Sequence, residues 1–396
     1  MKQAFPVFLI DLDSVLIEPR GYRLSVQAAL RYFTNRMGLG DLYPGEEIIE
    51  RFEAINMTCE WDITPILLAS VFEGLLRKNP GFQLPSGILQ ACETIADQHL
   101  DPPVLVFDSV IEVLSRHFQP GMEYATLALE LSLPRSPEAP FPMLAGHTLL
   151  TAILAGTRLM DGALTTRVFQ HFTLGAERFE HFTGQPRLFD SVSYLETNDQ
   201  VLLGGQTRQK LLQHWQQKKM GVCVYTARPS LPVKGDVKTY NYSPEAEVAL
   251  KALALEELPL VAAGKMGWLA LQTGKRVDQL TKPSPVQALA AIGTAVTRQI
   301  ESALWAASEL YFENHADGFW QMPPLSIHVF EDAGGNINAV RKAAELLAAA
   351  GLPNRVTAWG IANNPQKREA LRNAGANLVE KVDQAIEQAF QMEGIA

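Results

Sequence analysis

Cysteine is scarce in this chain: there are three in 396 residues, Cys59, Cys92 and Cys223. Odd in number, widely spaced and without a Cys-x-x-Cys pair, they argue against a disulfide framework or a zinc knuckle. Reduced core residues of a cytoplasmic protein are the expectation. A long hydrophobic run is also missing. The first apolar stretch follows one Lys and Pro6 and breaks at Asp11, too short and too acidic for a signal peptide or a membrane span. Positive charge is in deficit, with a net charge of -9, which argues against general affinity for nucleic acid or anionic membrane. A local positive pocket for an anionic metabolite stays open. The eight histidines show no ligand spacing, and there is no internal repeat or long low-complexity tract.

What is present is ordinary for a globular protein, 47% hydrophobic and 19% charged, and long enough for two or three domains. Val7-Phe8-Leu9-Ile10 is a short apolar run of the kind buried on both faces of a sheet. Asp11-Leu12-Asp13 follows at once. Two carboxylates two residues apart, at the carboxyl end of such a strand, sit where open α/β sheets place their chemistry. Their repulsion calls for a hard cation or another positive partner.

Between residues 25 and 195 no strand signal of any strength appears. After loop material at Glu18 to Tyr22, helical periodicity runs from about Leu24 to Met37 and again after Pro44. Trp61 to Pro65 reads as a helix start, with Asp62 or Thr64 as cap and Pro65 in the first turn. A further helix is expected over about Ser86 to Leu100. Val104 to Asp108 imitates the opening motif, but the position two later is Val110, so a helix with Asp108 in solvent fits better. Residues 119 to 143 carry Pro120, Pro134, Pro137, Pro140 and Pro142 and read as an irregular excursion. Helical spacing returns from His147 to Phe182. Residues 19–195 therefore read as an all-helical domain inserted in an α/β core made of 1–18 and 196–396.

In that core a helix is expected from Thr207 to Lys219, with Thr207 as its cap. A buried strand, Gly221 to Tyr225, ends in Thr226-Ala227-Arg228-Pro229. Residues 231 to 280 read poorly apart from helical patches near Glu245 to Leu255. Lys282-Pro283-Ser284-Pro285 opens an alanine-rich helix. A second buried strand, Ser326 to Phe330, ends in Glu331-Asp332-Ala333-Gly334-Gly335-Asn336. A helix from about Val340, a strand at Val356 to Trp359, another helix and a short strand near Leu378 complete the pattern. Strands alternating with helices call for a Rossmann-like parallel sheet.

Asp11 with Asp13, Thr226, Lys282, and Glu331 with Asp332 thus stand at strand ends or at a helix start. In this order they supply what phosphoryl transfer through an aspartyl-phosphate needs. That is a nucleophilic carboxylate, acids for magnesium, and a lysine and hydroxyl for the transferring oxygens. The chain resembles the haloacid dehalogenase-like superfamily, whose four motifs correspond to Asp11-Leu12-Asp13, Thr226, Lys282 before Pro283, and Glu331-Asp332. The segments Phe52 to Thr64, Thr173 to Glu180 and Thr226 to Pro229 are similar to an uncharacterised phosphatase-like branch with a helical cap between the first and second motifs.

The resemblance implies that Asp11 is the nucleophile and Asp13 the general acid and base, and that Thr226, Ala227 and Lys282 bind phosphate. It implies Mg2+ on Asp11, Asp13 and Asp332, with Glu331 and Asn336 as further candidates. Arg20, Arg23, Trp61 and Arg228 are candidates for contact with a small phosphorylated substrate. One departure is Asn336, where the family commonly has a second acid; Glu331 compensates only if its side chain turns inward. A phosphohydrolase is the expectation. A catalytically weakened ligand-binding protein on the same scaffold and a phosphomutase are the alternatives.

Overall fold

The computed structural model describes residues 4–100, 102–119, 121–134, 136–235, 242–319 and 322–395. The chain divides into two compact units. One holds residues 4–19, 198–235 and 242–395 of those described, and the other holds 20–197.

The first unit is α/β. Its strands are β1 (Phe5–Ile10), β2 (Ile17–Glu18), β3 (Gln200–Val201), β4 (Gly221–Tyr225), β5 (Leu260–Val261), β6 (Leu325–Glu331), β7 (Asn354–Ile361) and β8 (Asn377–Val379). Six of them form one parallel sheet in the order β5-β4-β1-β6-β7-β8, while β2 and β3 form a small antiparallel ribbon. The central strands are apolar on both faces because helices cover both. Val7, Leu9, Cys223, Tyr225, Ile327 and Val329 point to the face covered by helices Pro285–Thr297, Ile300–Glu313 and Gly334–Ala349. Phe8, Ile10, Val222, Val224, Phe330 and Trp359 point to the other, covered by helices Gly205–Gln216, Glu245–Ala252 and Val382–Glu393. From β1 the connections run one way to β4 and β5, then return to β6 on its other side and continue outward. The carboxyl ends of β1 and β6 therefore flank the point where the strand order reverses, the usual place for a ligand in an open α/β sheet.

Helices are the regular elements of the second unit among its described residues, with Glu60–Lys78 packed against several of the others. This helix is buried from Trp61 to Leu76, so its apolar surface runs all the way round. Glu73 within it is fully buried and accepts hydrogen bonds from the backbone N–H groups of Met143 and Leu144 and from Arg77. No helix among the described residues is long and apolar enough to cross a membrane.

Several local expectations are corrected. The first long helix is Arg20–Arg36, starting four residues early because Tyr22 continues the buried series through Val26, Ala29, Leu30 and Phe33. Glu60–Lys78 begins before Trp61, which puts Pro65 in its second turn, and Asp62 is not a cap. Its carboxylate accepts from Ala125 N at 3.1 Å and pairs with Arg158. The proline-rich stretch contains a helix, Tyr124–Ser132, because its run of Ala, Leu and Glu favours helix between the prolines. Pro120 lies outside the described residues. The periodic stretch from His147 to Phe182 is three helices, broken at Gly156, Gly162 and Gly175. Helix Gly205–Gln216 begins before Thr207, and Gly334–Ala349 begins six residues before Val340, so Asn336 lies in its first turn. Cys92 and Cys223 are buried as expected, but Cys59 is half-buried beside Arg158; none is in a disulfide.

Gly221, the first residue of β4, has no room for a side chain. An added Cβ would lie 2.4 Å from Ala295 O in the helix packed on the strand. Gly221→Ala is expected to cost about 1–3 kcal/mol by overpacking, read as a lower urea midpoint with an unchanged slope. Full stability in the variant would show that β4 and its helix are not held this close.

Candidate active site

Asp11 leaves the end of β1 with its backbone N–H still bonded to Phe330 O of β6 at 3.0 Å, so the sheet fixes its position. Its side chain is buried, and Oδ1 accepts from Leu12 N at 2.8 Å. Asp332 follows β6, which comes late in the chain but pairs directly with β1 in the sheet. Carboxylate oxygens of Asp11, Glu331 and Asp332 all lie within 4.8 Å of one another, an all-oxygen donor set that suits a hard divalent cation.

Lys282 makes this gathering of acids tolerable. Its Nζ lies 2.8 Å from Asp11 Oδ1 and 2.7 Å from Glu331 Oε1, and 3.8 Å over the Tyr225 ring. Glu331 is fully buried and turned inward. It accepts the Tyr225 hydroxyl at 2.6 Å and the Asn336 Nδ2 at 3.0 Å. Asp332 pairs with Lys367 at 2.5 Å. Burial, then repulsion from Glu331, raises the Asp11 carboxyl well above the ordinary range. Burial also raises Asp332, against the pull of Lys367. For Lys282 burial opposes the charge, but Asp11 and Glu331 outweigh it and hold the ammonium above its ordinary value. Tyr225 is kept firmly protonated by burial and by Glu331.

Thr226 continues β4 by donating its N–H to Val261 O at 3.1 Å, and its buried hydroxyl oxygen accepts Arg228 N at 3.1 Å. The hydroxyl proton remains available for donation. Ala227 follows in the same turn. Gln287, fully buried, ties the parts together. Its Nε2 donates to Thr226 O at 2.9 Å and to Val261 O at 3.1 Å, and its Oε1 accepts Lys282 N at 2.8 Å. The Lys282-Pro283 peptide is cis.

Of the residues named from sequence, Asp11, Lys282, Glu331 and Asp332 come together. Asp13 also was named as a metal ligand, but its carboxylate lies outside that group and is held by Arg228. Asn336 directs its amide nitrogen at Glu331. Arg228, named for substrate contact, is buried on Asp13 and Asp199. In the helical unit Arg23 pairs with Glu46 and Glu53, Trp61 is buried, and Arg20 is exposed. Sequence reasoning missed Tyr225, Gln287, Lys367 and Asp199. Gln287 alone left a signal, a lone amide inside the apolar run from Val286 to Ile292.

No known family profile matches the chain, and no curated protein matches it. Among solved structures it is similar in fold to an X-ray structure determined as Northeast Structural Genomics Consortium target ZR25. The TM-score is 0.64 at 13% identity, over 98% of this chain and 100% of that one. It also aligns with phosphatase Tt82 from Thermococcus thioreducens, with a TM-score of 0.45 at 14% identity, over 97% of this chain and 99% of that one.

The raised Asp11 carboxyl has a consequence for stability. The folded state binds its proton more tightly than the unfolded chain does, so this group's contribution falls as pH rises above the ordinary carboxyl value of 3.8. In a chelating buffer Asp11→Asn is expected to unfold at higher urea than the wild type at pH 7.5, with the gap closing toward pH 4. An Asn variant no more stable at pH 7.5 would mean that Lys282 fully offsets the buried charge.

Proposed function

We propose that the chain is a magnesium-dependent phosphohydrolase of small phosphomonoesters, acting through an aspartyl-phosphate on Asp11. The observation that carries this reading is the position of the Lys282 ammonium. It lies within 2.8 Å of a carboxylate at the end of β1, at the sheet's switch point, with two more acids on the next strand. Asp11, Glu331 and Asp332 would hold the cation. When bound, it supplies positive charge that favours ionised carboxylates and offsets the phosphoryl oxygens.

The remaining steps belong to the chain. The Asp11 carboxylate attacks phosphorus while Asp13 gives a proton to the leaving oxygen as the phosphorus–oxygen bond breaks. Asp13 then takes a proton from water, whose oxygen attacks the aspartyl-phosphate and frees Asp11. Lys282, the Thr226 hydroxyl and the turn at Ala227 stabilise the transferring oxygens. A cavity of about 500 Å³ beside Asp332, lined by Ser14, Glu18, Asn363, Lys367 and Lys381, has room for the rest of a small metabolite.

The Lys367–Asp332 pair favours a second reading, a protein that binds a phosphorylated ligand with little turnover, because a lysine occupies one of the acids a cation needs. One assay separates the two. Phosphate release from a panel of phosphomonoesters should require magnesium and fall at least about a thousandfold in Asp11→Asn. Equal rates in wild type and variant would reject the nucleophile. Calorimetric binding without release on any substrate would select the second reading. Glu331→Gln is expected to weaken magnesium binding, measured by calorimetry, by about tenfold or more; unchanged affinity would remove Glu331 from the cation's surroundings.

A further inference from the structure

We infer that Arg228, held by Asp199, is a positioning residue that aims the Asp13 carboxylate; this rests on the phosphohydrolase reading above. Arg228 Nε donates to both Asp13 oxygens, at 2.8 Å and 3.0 Å, and Nη2 donates to Oδ1 at 2.5 Å. The same Nη2 reaches Asp199 Oδ2 at 3.2 Å. Side-chain exposure grades along this chain of contacts, 1% at Asp199, 2% at Arg228 and 32% at Asp13. The guanidinium and its anchor are therefore sealed, and the end that meets water is Asp13.

Two N–H groups from one rigid fork fix the plane of a carboxylate in a way a lysine does not. The fork loads Oδ1 with two donors and Oδ2 with one, so Oδ2 is the less committed oxygen. The backbone of Arg228 is pinned as well. Its N–H bonds to the Thr226 hydroxyl, and its carbonyl accepts Ala263 N at 3.1 Å. One turn after β4 thus sets both the hydroxyl assigned to phosphate and the grip on the acid. Asp199 immediately precedes β3, whose partner β2 lies just after Asp13, so the anchor is tied to the loop it serves. The side chain suggested by sequence for substrate contact is thus turned toward Asp13 and Asp199.

The leaving group tests this. p-Nitrophenolate departs without help, whereas an alkoxide needs a proton from Asp13. Wild type, Arg228→Gln, Arg228→Lys and Asp199→Asn are compared on p-nitrophenyl phosphate and glycerol 2-phosphate in magnesium. Arg228→Gln should lower kcat for the alkyl ester about tenfold more than for the aryl ester, with KM changed less than about twofold. Asp199→Asn should shift the ratio in the same direction, and Arg228→Lys should recover part of it. Equal loss on both esters, or a rise in KM alone, would overturn the inference. Asp199→Asn and Arg228→Lys decide it if Arg228→Gln does not fold. A wild type inactive on these esters and on the whole phosphomonoester panel would reject the phosphohydrolase reading alone. Crystal structures then decide the positioning, because an Asp13 side chain unmoved in Arg228→Lys and Asp199→Asn overturns it and a displaced one supports it.

Discussion

The contact on which the α/β unit's site depends is the Lys282 ammonium lodged between Asp11 and Glu331. Three carboxylates within 4.8 Å of one another would repel by about 3 kcal/mol for each pair at an effective dielectric near 20. Their removal from water adds a further penalty, which no sheet edge tolerates unrelieved. Lys282 relieves two of the acids at once, Tyr225 and Asn336 complete the hydrogen bonding of Glu331, and Lys367 takes Asp332. Gln287 explains how a lysine in a loop comes to be so well placed. It bonds the Lys282 backbone and the ends of β4 and β5 with a single buried amide. Losing that amide would strand the Thr226 carbonyl and the Lys282 N–H in the interior, each a cost of about 1–3 kcal/mol, while Val261 O would keep the Thr226 N–H.

Much of the α/β architecture was legible because strands buried on both faces announce themselves as apolar runs, and β1, β4 and β6 are such runs. β5 was not legible. Two residues, Leu260 and Val261, carry too little pattern to stand out from the helices around them. The inward turn of Glu331 could have been read from parity. Leu325, Ile327 and Val329 share the face of Tyr225, and Glu331 is the next residue of that series. What hid it was chemistry, since a carboxylate at a strand end is expected in solvent until a lysine and a tyrosine are known to wait there.

The misread residues share a cause. Arg228 follows a strand in a Thr-Ala-Arg-Pro turn, and loops there face solvent more often than not. Its burial depends on Asp13 and Asp199, respectively 215 and 29 positions away, and no local spacing reveals that. Asp62 is similar. Next to Pro65 it has the look of a helix cap, yet Arg158 lies 96 positions on and draws its carboxylate into the interior. The proline-rich stretch failed differently, because prolines were counted across a window whose centre, Tyr124–Ser132, contains none. Long-range charge pairing is the part of a fold least visible in sequence, and it is what builds this site.

Charge counting carries the synthesis one step further. Among the groups named at the ends of β1, β4 and β6 and on the segments beside them, five carboxylates stand with three cations. Asp11, Asp13, Asp199, Glu331 and Asp332 face Lys282, Arg228 and Lys367. With all eight ionised, two negative charges remain, an excess that one divalent cation matches. The excess divides evenly, one charge to each of two groups, but the groups differ in geometry. Asp13 and Asp199 share a guanidinium, whereas Asp11, Glu331 and Asp332 share two ammonium groups, and only the second group has its oxygens gathered within reach of one ion. Burial, joined at Asp11 by repulsion from Glu331, raises the carboxyls of Asp11 and Asp332, so ionising them here is harder than in water. On the proposed function, a phosphoryl group would bring more negative charge to this edge, and its arrival together with a cation would cost less than its arrival alone.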